Sequence, residues 1–226
     1  MFTHIPRTGG TSIRAFVSER VERPAFMDAL SDFAFVNDAE LAGYDFVATH
    51  CGFGIFRRFP SARRLIVLRD PLERIVSYYY HLRGIEENTS YASHYAKSLS
   101  LADFASMSNP AVRVGVANAQ VWHLIEDKNI GFRNRHKQMN GDQAVDAAFA
   151  NLLTYDVVGF YDSLGEVFDT LSIQLPGHET PRPHLAASAR PALTDIDAPT
   201  LEVVRSQIAL DELLYHRARE HFRAGQ

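Results

Sequence analysis

Arg64-Leu65-Ile66-Val67-Leu68-Arg69-Asp70-Pro71-Leu72-Glu73-Arg74-Ile75-Val76-Ser77-Tyr78-Tyr79-Tyr80-His81 changes its secondary-structure grammar at a single point. Leu65 to Leu68 is an unbroken apolar run, as expected of a strand buried on both faces in a parallel sheet. Asp70 then suits a helix N-cap, Pro71 the first helical position and Glu73 the closing of a capping box, so a helix is expected from there to about Arg83. A shorter version of the same order opens the chain. Phe2-Thr3-His4-Ile5-Pro6 reads as extended, Arg7-Thr8-Gly9-Gly10-Thr11-Ser12 as a glycine turn, and Ile13 to Arg20 as a helix.

Two further strands are expected at Asp45 to His50, ending where His50-Cys51-Gly52-Phe53-Gly54 turns the chain, and at Asp156 to Phe160. Helical patterns mark Leu101 to Met107, Val116 to Ile125, Asp142 to Leu153, Ser163 to Leu175, Leu201 to Ile208 and Asp211 to Phe222. Strands alternating with helices predict an α/β fold, a parallel sheet covered on both faces. Turn-rich stretches lie at Gly84 to Tyr91, Asn129 to Asn140 and Pro176 to Pro199, and the last has the length of a lid or binding loop. At 226 residues the chain fits a single domain spanning 1–226.

Hydrophobic residues make up 46% and charged residues 22%, an ordinary globular balance that excludes wholesale disorder and fibrous repeats. The net charge of -4 offers no general attraction to nucleic acid or an anionic membrane, so any anion site must be local. A single cysteine, Cys51, forms no intramolecular disulfide and supplies no cysteine-rich zinc site, which favours a reducing compartment. No window approaches the roughly 18 apolar residues of a membrane span, and the first residues lack the pattern of a secretory leader, so a cytoplasmic location is expected.

A glycine turn between a strand and a helix exposes unpaired N–H groups at the positive end of the helix dipole, which suits a phosphate. Gly9 and Gly10 allow close backbone approach, Thr11 and Ser12 add hydroxyls, and Arg7 adds a permanent charge. A Gly-Gly pair alone serves equally as a plain turn. The nucleotide loop G-x-x-x-x-G-K-[ST] and the dinucleotide fingerprint G-x-G-x-x-G are both absent. Asp70, the one acidic residue at a strand end in the position of a magnesium ligand, is better explained as a helix cap, so the loop suits an anion without a demanding metal.

His4 to Ser12 followed by Arg64 to His81 closely resembles the sulfotransferases that use 3'-phosphoadenosine 5'-phosphosulfate (PAPS), and most nearly the branch of carbohydrate 2-O-sulfotransferases and their bacterial relatives. Weaker likenesses run through Asn118 to Leu124, Val158 to Asp162 and Leu210 to Tyr215. The resemblance implies a three-layer P-loop-like fold, PAPS as co-substrate with no metal required, and a hydroxyl-bearing small molecule or glycan as acceptor. It assigns Arg7, Thr8, Gly9, Gly10, Thr11 and Ser12 to the 5'-phosphosulfate, and Arg69 and Ser77 to the 3'-phosphate. The planar fork of Arg69 agrees with that role; alone, Arg69 reads more readily as half of an ion pair and Ser77 as a solvated helix position, and it is their joint placement that reverses the preference. Pro183 to Arg190 resembles the family's late loop over the nucleotide, with alanine where asparagine is common, and brings in Ser188 and Arg190.

Arg7 stands where the family usually has lysine. With a pKa above about 12 it neutralises charge on the leaving phosphate but is no ready proton donor. His50 occupies the place of a histidine in that branch and is the expected base for the acceptor hydroxyl, with His4 and His81 as rivals. Cys51, pointing to the opposite face of an extended segment, is expected to be buried and inert, and His216 and His221, five apart, are poorly spaced for a shared metal. Arg57, Arg58, Arg63 and Arg64 form a basic cluster flanking the expected site, either a solvated face or a patch for an acidic or sulfated glycan. Tyr78, Tyr79, Tyr80 and Trp122 are either core or stacking surfaces. Two other functions fit the same motifs: a noncatalytic module binding adenosine 3',5'-bisphosphate (PAP), and a small-molecule phosphotransferase.

Overall fold

The computed structural model describes residues 1–27, 37–86, 90–125, 140–175 and 190–223. Among them, five strands form one parallel sheet: β1 Phe2–Thr3, β2 Pro24–Met27, β3 Phe46–Thr49, β4 Leu65–Leu68 and β5 Val157–Phe160, in the order β2-β3-β1-β4-β5. The described helices are α1 Gly10–Ser18, α2 Asp38–Ala42, α3 Pro71–Gly84, α4 Tyr91–Ser98, α5 Leu101–Ser106, α6 Pro110–Val116, α7 Ala119–Ile125, α8 Gly141–Leu152, α9 Leu164–Gln174 and α10 Ala198–Arg223. The chain therefore has the α/β architecture that its alternating pattern predicts. No helix among the described residues is long and apolar enough to cross a membrane.

All four residues of β4 are buried, and each such aliphatic side chain contributes about 1.5–3 kcal/mol by leaving water. The two faces of the sheet carry different partners. Phe2, Ala48, Leu65, Val67 and Val157 pack against Ile13, Phe16 and Val17 of α1 and Val167, Phe168 and Leu171 of α9. Val47, Ile66, Leu68 and Phe160 meet α7, α8 and the far half of α10 through Val121, Leu124, Ala148, Leu214 and Ala218. Helices α3 to α6 build a further apolar cluster with Val204 and Ile208 of α10, so that one long helix ties both regions together.

Registers of Phe2 with Ala48 and Leu65, and of Leu68 with Phe160, bring the carboxyl ends of β1, β3, β4 and β5 to one edge. From β1 the chain proceeds through α1 to β2 on one side; from β4 it proceeds through α3 to α8 to β5 on the other. The order reverses between β1 and β4, and in open parallel sheets that reversal opens a crevice at the carboxyl ends of the strands.

Several local outcomes differ from the sequence reading. The edge strand β2 was not expected, because Pro24 breaks the strand pattern; proline is tolerated at the first residue of an edge strand. Asp70 does cap α3, accepting from the Glu73 N–H at 2.9 Å, but the Glu73 side chain turns away from the box to meet two arginines. The helix expected over Val116 to Ile125 is broken at Asn118, whose φ of 49° lies in the left-handed region. Its N–H donates to the Gln207 carbonyl at 3.2 Å, and its Oδ1 accepts from the N–H groups of Leu210 and Asp211 at 3.0 and 3.2 Å. The interruption expected between Ile208 and Asp211 is thus an intrusion by Asn118 into a helix that continues from Ala198 to Arg223.

That junction buries an ion pair. Arg74 donates to the carbonyl of Gly115 at 3.0 Å, at the carboxyl end of α6. Asp211 accepts from the N–H groups of Gln120 and Val121 at 3.2 and 2.8 Å, at the amino end of α7. Each charge therefore offsets a helix dipole, and the two side chains, both 0% exposed, face one another at 3.9 Å. Burial nevertheless pushes the Asp211 carboxyl up to about 6, against the pull of Arg74 and the two N–H groups. The unfolded value is about 3.9, so between roughly pH 4 and 6 the folded protein holds a proton that the unfolded chain lacks. Stability from this group is complete below that window and is lost as pH rises through it, by about 2–3 kcal/mol. In urea unfolding across pH 4 to 7, Asp211→Asn is expected to gain on the wild type as pH rises; a constant difference would disprove the assignment.

Candidate functional site

The glycine loop leaves β1 through an unusual backbone. Arg7 has a φ of 71° and Gly9 a φ of 97°, the first a conformation that a side-chain-bearing residue adopts only under strain. Gly9 is the N-cap of α1, so no side chain accepts from the first-turn N–H groups, and no acidic residue lies in that turn. Among the described residues, no side-chain cap and no first-turn carboxylate offsets the positive end of the α1 dipole. Gly10 begins the helix beneath the His4 imidazole, and a Cβ at Gly10 would fall 1.8 Å from His4 Nε2. Both glycines are therefore needed, one for its backbone angle and one for its missing side chain. Thr11 is exposed and Ser12 half-buried in the first turn, whereas Thr8 is fully buried and its hydroxyl donates to the Ile5 carbonyl at 2.9 Å. Thr8 closes the loop on itself.

Arg69 stands directly after β4, with its side chain 7% exposed. Its backbone is held by Gln120, whose Oε1 accepts from the Arg69 N–H at 3.0 Å and whose Nε2 donates to the Arg69 carbonyl at 2.9 Å. The guanidinium lies 4.0 Å from the centre of the Tyr161 ring, donates from Nη1 to the Arg7 carbonyl at 3.1 Å and from Nη2 to Glu73 at 3.3 Å. Its Nε is buried with no hydrogen-bond partner among the described residues. Arg7 in turn donates from Nε to Ser77 Oγ at 3.1 Å, and Arg190 pairs with the same Glu73 oxygen that Arg69 meets.

Arg7, Ser77, Arg69 and Arg190, drawn from three separate stretches of chain, thus meet in the crevice between β1 and β4. Two of the three guanidinium groups, those of Arg69 and Arg190, share the Glu73 carboxylate, and Arg7 reaches Ser77 beside them. The Arg7 guanidinium is held below its ordinary range first by burial and then by Arg69 and Arg190, with Tyr161 opposing. Arg69 is lowered first by burial and also by Arg190, while Tyr161 and Glu73 oppose. His81, one turn beyond Ser77, is exposed, and its imidazole is lowered by partial burial and by Arg7. Burial is the larger cause of all three shifts, and the mutual repulsion of the cations adds to it, a repulsion that a bound anion would relieve.

His50 lies beyond β3 on the other side of the loop. Its Nδ1 is 2.6 Å from the His4 carbonyl, and the two imidazoles stack with centroids 4.4 Å apart. Facing a carbonyl, Nδ1 carries the hydrogen, which makes Nε2 the lone-pair nitrogen. Cys51 is buried, its N–H bonded to Thr49 Oγ1 at 3.0 Å.

Tyr161 was quoted in the sequence only as part of a weak likeness, yet its ring sits between Arg69 and the Gly9 turn. Gln120 and Glu73 are the other participants that sequence left without a site role; their partners lie 51 and 117 residues away. Ser188 and the stretch Pro183 to Ala189 fall outside the described residues. Within the basic cluster, Arg63 and Arg64 do not flank the crevice. Arg63 and Arg64 precede β4 at the opposite edge, where the Arg64 N–H donates to Asp156, and Arg58 pairs with Asp38. Tyr79 is core, its hydroxyl donating to the Leu99 carbonyl at 2.8 Å, and Tyr78 packs over Gly115.

A cavity of about 520 Å³ opens at that opposite edge, lined by Tyr44, Phe46, Arg64, Leu65 and Leu171 among others. It borders the amino ends of the strands, and the cations of the crevice are absent from its lining. Among the described residues no group of three or more His, Cys, Asp or Glu side chains is arranged to hold a metal ion. No protein-family model matches the chain, and no curated protein matches it.

Proposed function

We propose that this chain is a PAPS-dependent sulfotransferase acting on a hydroxyl acceptor, on a P-loop-like scaffold. The observation that carries this reading is the meeting of Arg7, Ser77, Arg69 and Arg190 beside the uncapped amino end of α1. A glycine turn after the first strand of a parallel sheet, opening a helix, is also the place where P-loop proteins cradle phosphate. The donors fit a doubly phosphorylated ligand. Arg69 has a buried Nε without a partner among the described residues, and the first-turn N–H groups of α1 form a second set of donors. Thr8 supports the loop from within, its hydroxyl being spent on the Ile5 carbonyl rather than offered to a ligand.

PAPS would supply the sulfuryl group and leave as PAP. Arg7 offsets negative charge on the departing phosphate; it remains a cation even when burial lowers its pKa. His50 receives the acceptor proton at Nε2, because its hydrogen bond to the His4 carbonyl keeps the other nitrogen protonated. The stack on His4, itself seated on Gly10, orients the ring.

Labelled PAPS offered with a panel of hydroxyl acceptors, beside thermal protection by PAP without added magnesium, tests the proposal. His50→Ala is expected to keep PAP protection and lose about 10²–10⁴-fold in turnover, the usual contribution of a positioned base. Equal turnover in that variant removes His50 from the mechanism. The second reading, a noncatalytic PAP-binding module, is favoured by arginine at position 7 and by its bond to Ser77. Protection by PAP with no transfer to any acceptor would select it. A magnesium-dependent response to ATP with none to PAP would instead select a phosphotransferase.

A further inference from the structure

Glu73 has the position of a ligand. It sits in the first turn of α3 with its side chain 32% exposed, and its Oε2 accepts from Arg69 Nη2 at 3.3 Å while pairing with Arg190 Nη2. Two guanidinium groups that begin 121 positions apart in the chain converge on that one oxygen. The helix does not need this carboxylate, because Asp70 caps α3 through the Glu73 backbone N–H and leaves the side chain out of the cap. Around it the crevice holds Arg7, Arg69 and Arg190, so Glu73 reduces three positive charges to two.

We propose that Glu73 is a resident competitor for the anion site, a specificity-determining carboxylate that holds Arg69 and Arg190 in the empty protein and surrenders them only to a phosphate carrying two negative charges. The inference rests on the reading of this crevice as the nucleotide's phosphate site. A monoanion offers Arg69 and Arg190 no more charge than Glu73 already does, and it gives up freedom in solution as well. A phosphate dianion offers twice the charge and three oxygens for the two forks. Glu73 can then swing toward solvent, since its side chain is already partly exposed.

The test compares wild type, Glu73→Gln and Glu73→Ala by titration calorimetry with inorganic phosphate, nitrate and PAP. Both variants are expected to bind inorganic phosphate about tenfold or more tightly than wild type, and to discriminate less between phosphate and nitrate. Equal or weaker phosphate binding in the variants overturns the proposal, since a carboxylate that merely orients the arginines would weaken binding when removed. Absence of phosphate binding in all three proteins overturns it too. If the variants fold poorly, a wild-type crystal soaked in phosphate decides: Glu73 withdrawn from both arginines with phosphate in its place supports the proposal, and Glu73 still bonded to them overturns it. PAP separates this inference from the function it rests on. Wild type that binds PAP no better than phosphate, while the variants gain phosphate affinity, removes the nucleotide and keeps the competitor; tight PAP binding without any gain in the variants does the reverse.

Discussion

Arg69→Ala is expected to weaken PAP binding about 100-fold or more, enough to abolish thermal protection at ligand concentrations that protect the wild type. The size of the loss follows from burial. The side chain is 7% exposed, so a phosphate bound to it is shielded from water, and truncation leaves that phosphate without its nearest fork. Arg69→Lys is the sharper control. It restores the charge but not the planar geometry that lies against Tyr161 and reaches both the Arg7 carbonyl and Glu73, so it should recover only part of the affinity. A melting curve for each variant without ligand separates lost binding from lost folding. Full PAP protection of Arg69→Ala would mean that the nucleotide lies elsewhere or that none is bound.

The largest effect on stability is expected from Arg74→Met. Removing one member of a buried ion pair costs about 3–5 kcal/mol, because the other charge stays behind without compensation. Here the remaining group is Asp211, 0% exposed, and the Gly115 carbonyl loses its donor as well. The cost should shrink in acid. Asp211 already titrates near 6, and without Arg74 its value climbs further, so at pH 5 the carboxyl takes up a proton instead of remaining a lone buried charge. Urea unfolding at pH 7.5 and 5 measures both figures. A loss below about 1 kcal/mol at pH 7.5 would show that solvent reaches the pair. Because Asp211 also holds the N–H groups of Gln120 and Val121, and the Gln120 side chain brackets Arg69, the same variant is expected to weaken PAP binding in the fraction that folds.

The residues that were legible in sequence share one property: their meaning is local. The apolar run Leu65 to Leu68 and the cap at Asp70 with Pro71 depend on neighbours within a few positions and appear in the structure at their expected places; the glycine turn also precedes α1 as expected, but the helix begins at Gly10, three residues earlier than the pattern suggested, and ends at Ser18. Helix breaks were less legible. Asn118 interrupts a periodic apolar pattern because its side chain and N–H bond to α10 some 90 residues away, and nothing adjacent in sequence reports that demand. The edge strand β2 was hidden for a related reason, since a proline at its first residue is harmful only if a partner strand needs the missing N–H.

The site divides along the same line. The glycine loop after β1 was legible as an anion site from its own residues, because a strand-to-helix junction in a parallel sheet can be read one unit at a time, whereas the arginine after β4 and the histidine after β3 became site candidates through the resemblance. Which junctions adjoin depends on strand order, and that order is settled by burial of both sheet faces at once. The placement of Arg7 against Ser77, of Arg69 beneath Tyr161 and beside Gln120, and of Glu73 between Arg69 and Arg190 follows from that packing. The same packing sent Arg63 and Arg64 to the far edge, because a strand has two ends and four residues of β4 separate them from the crevice.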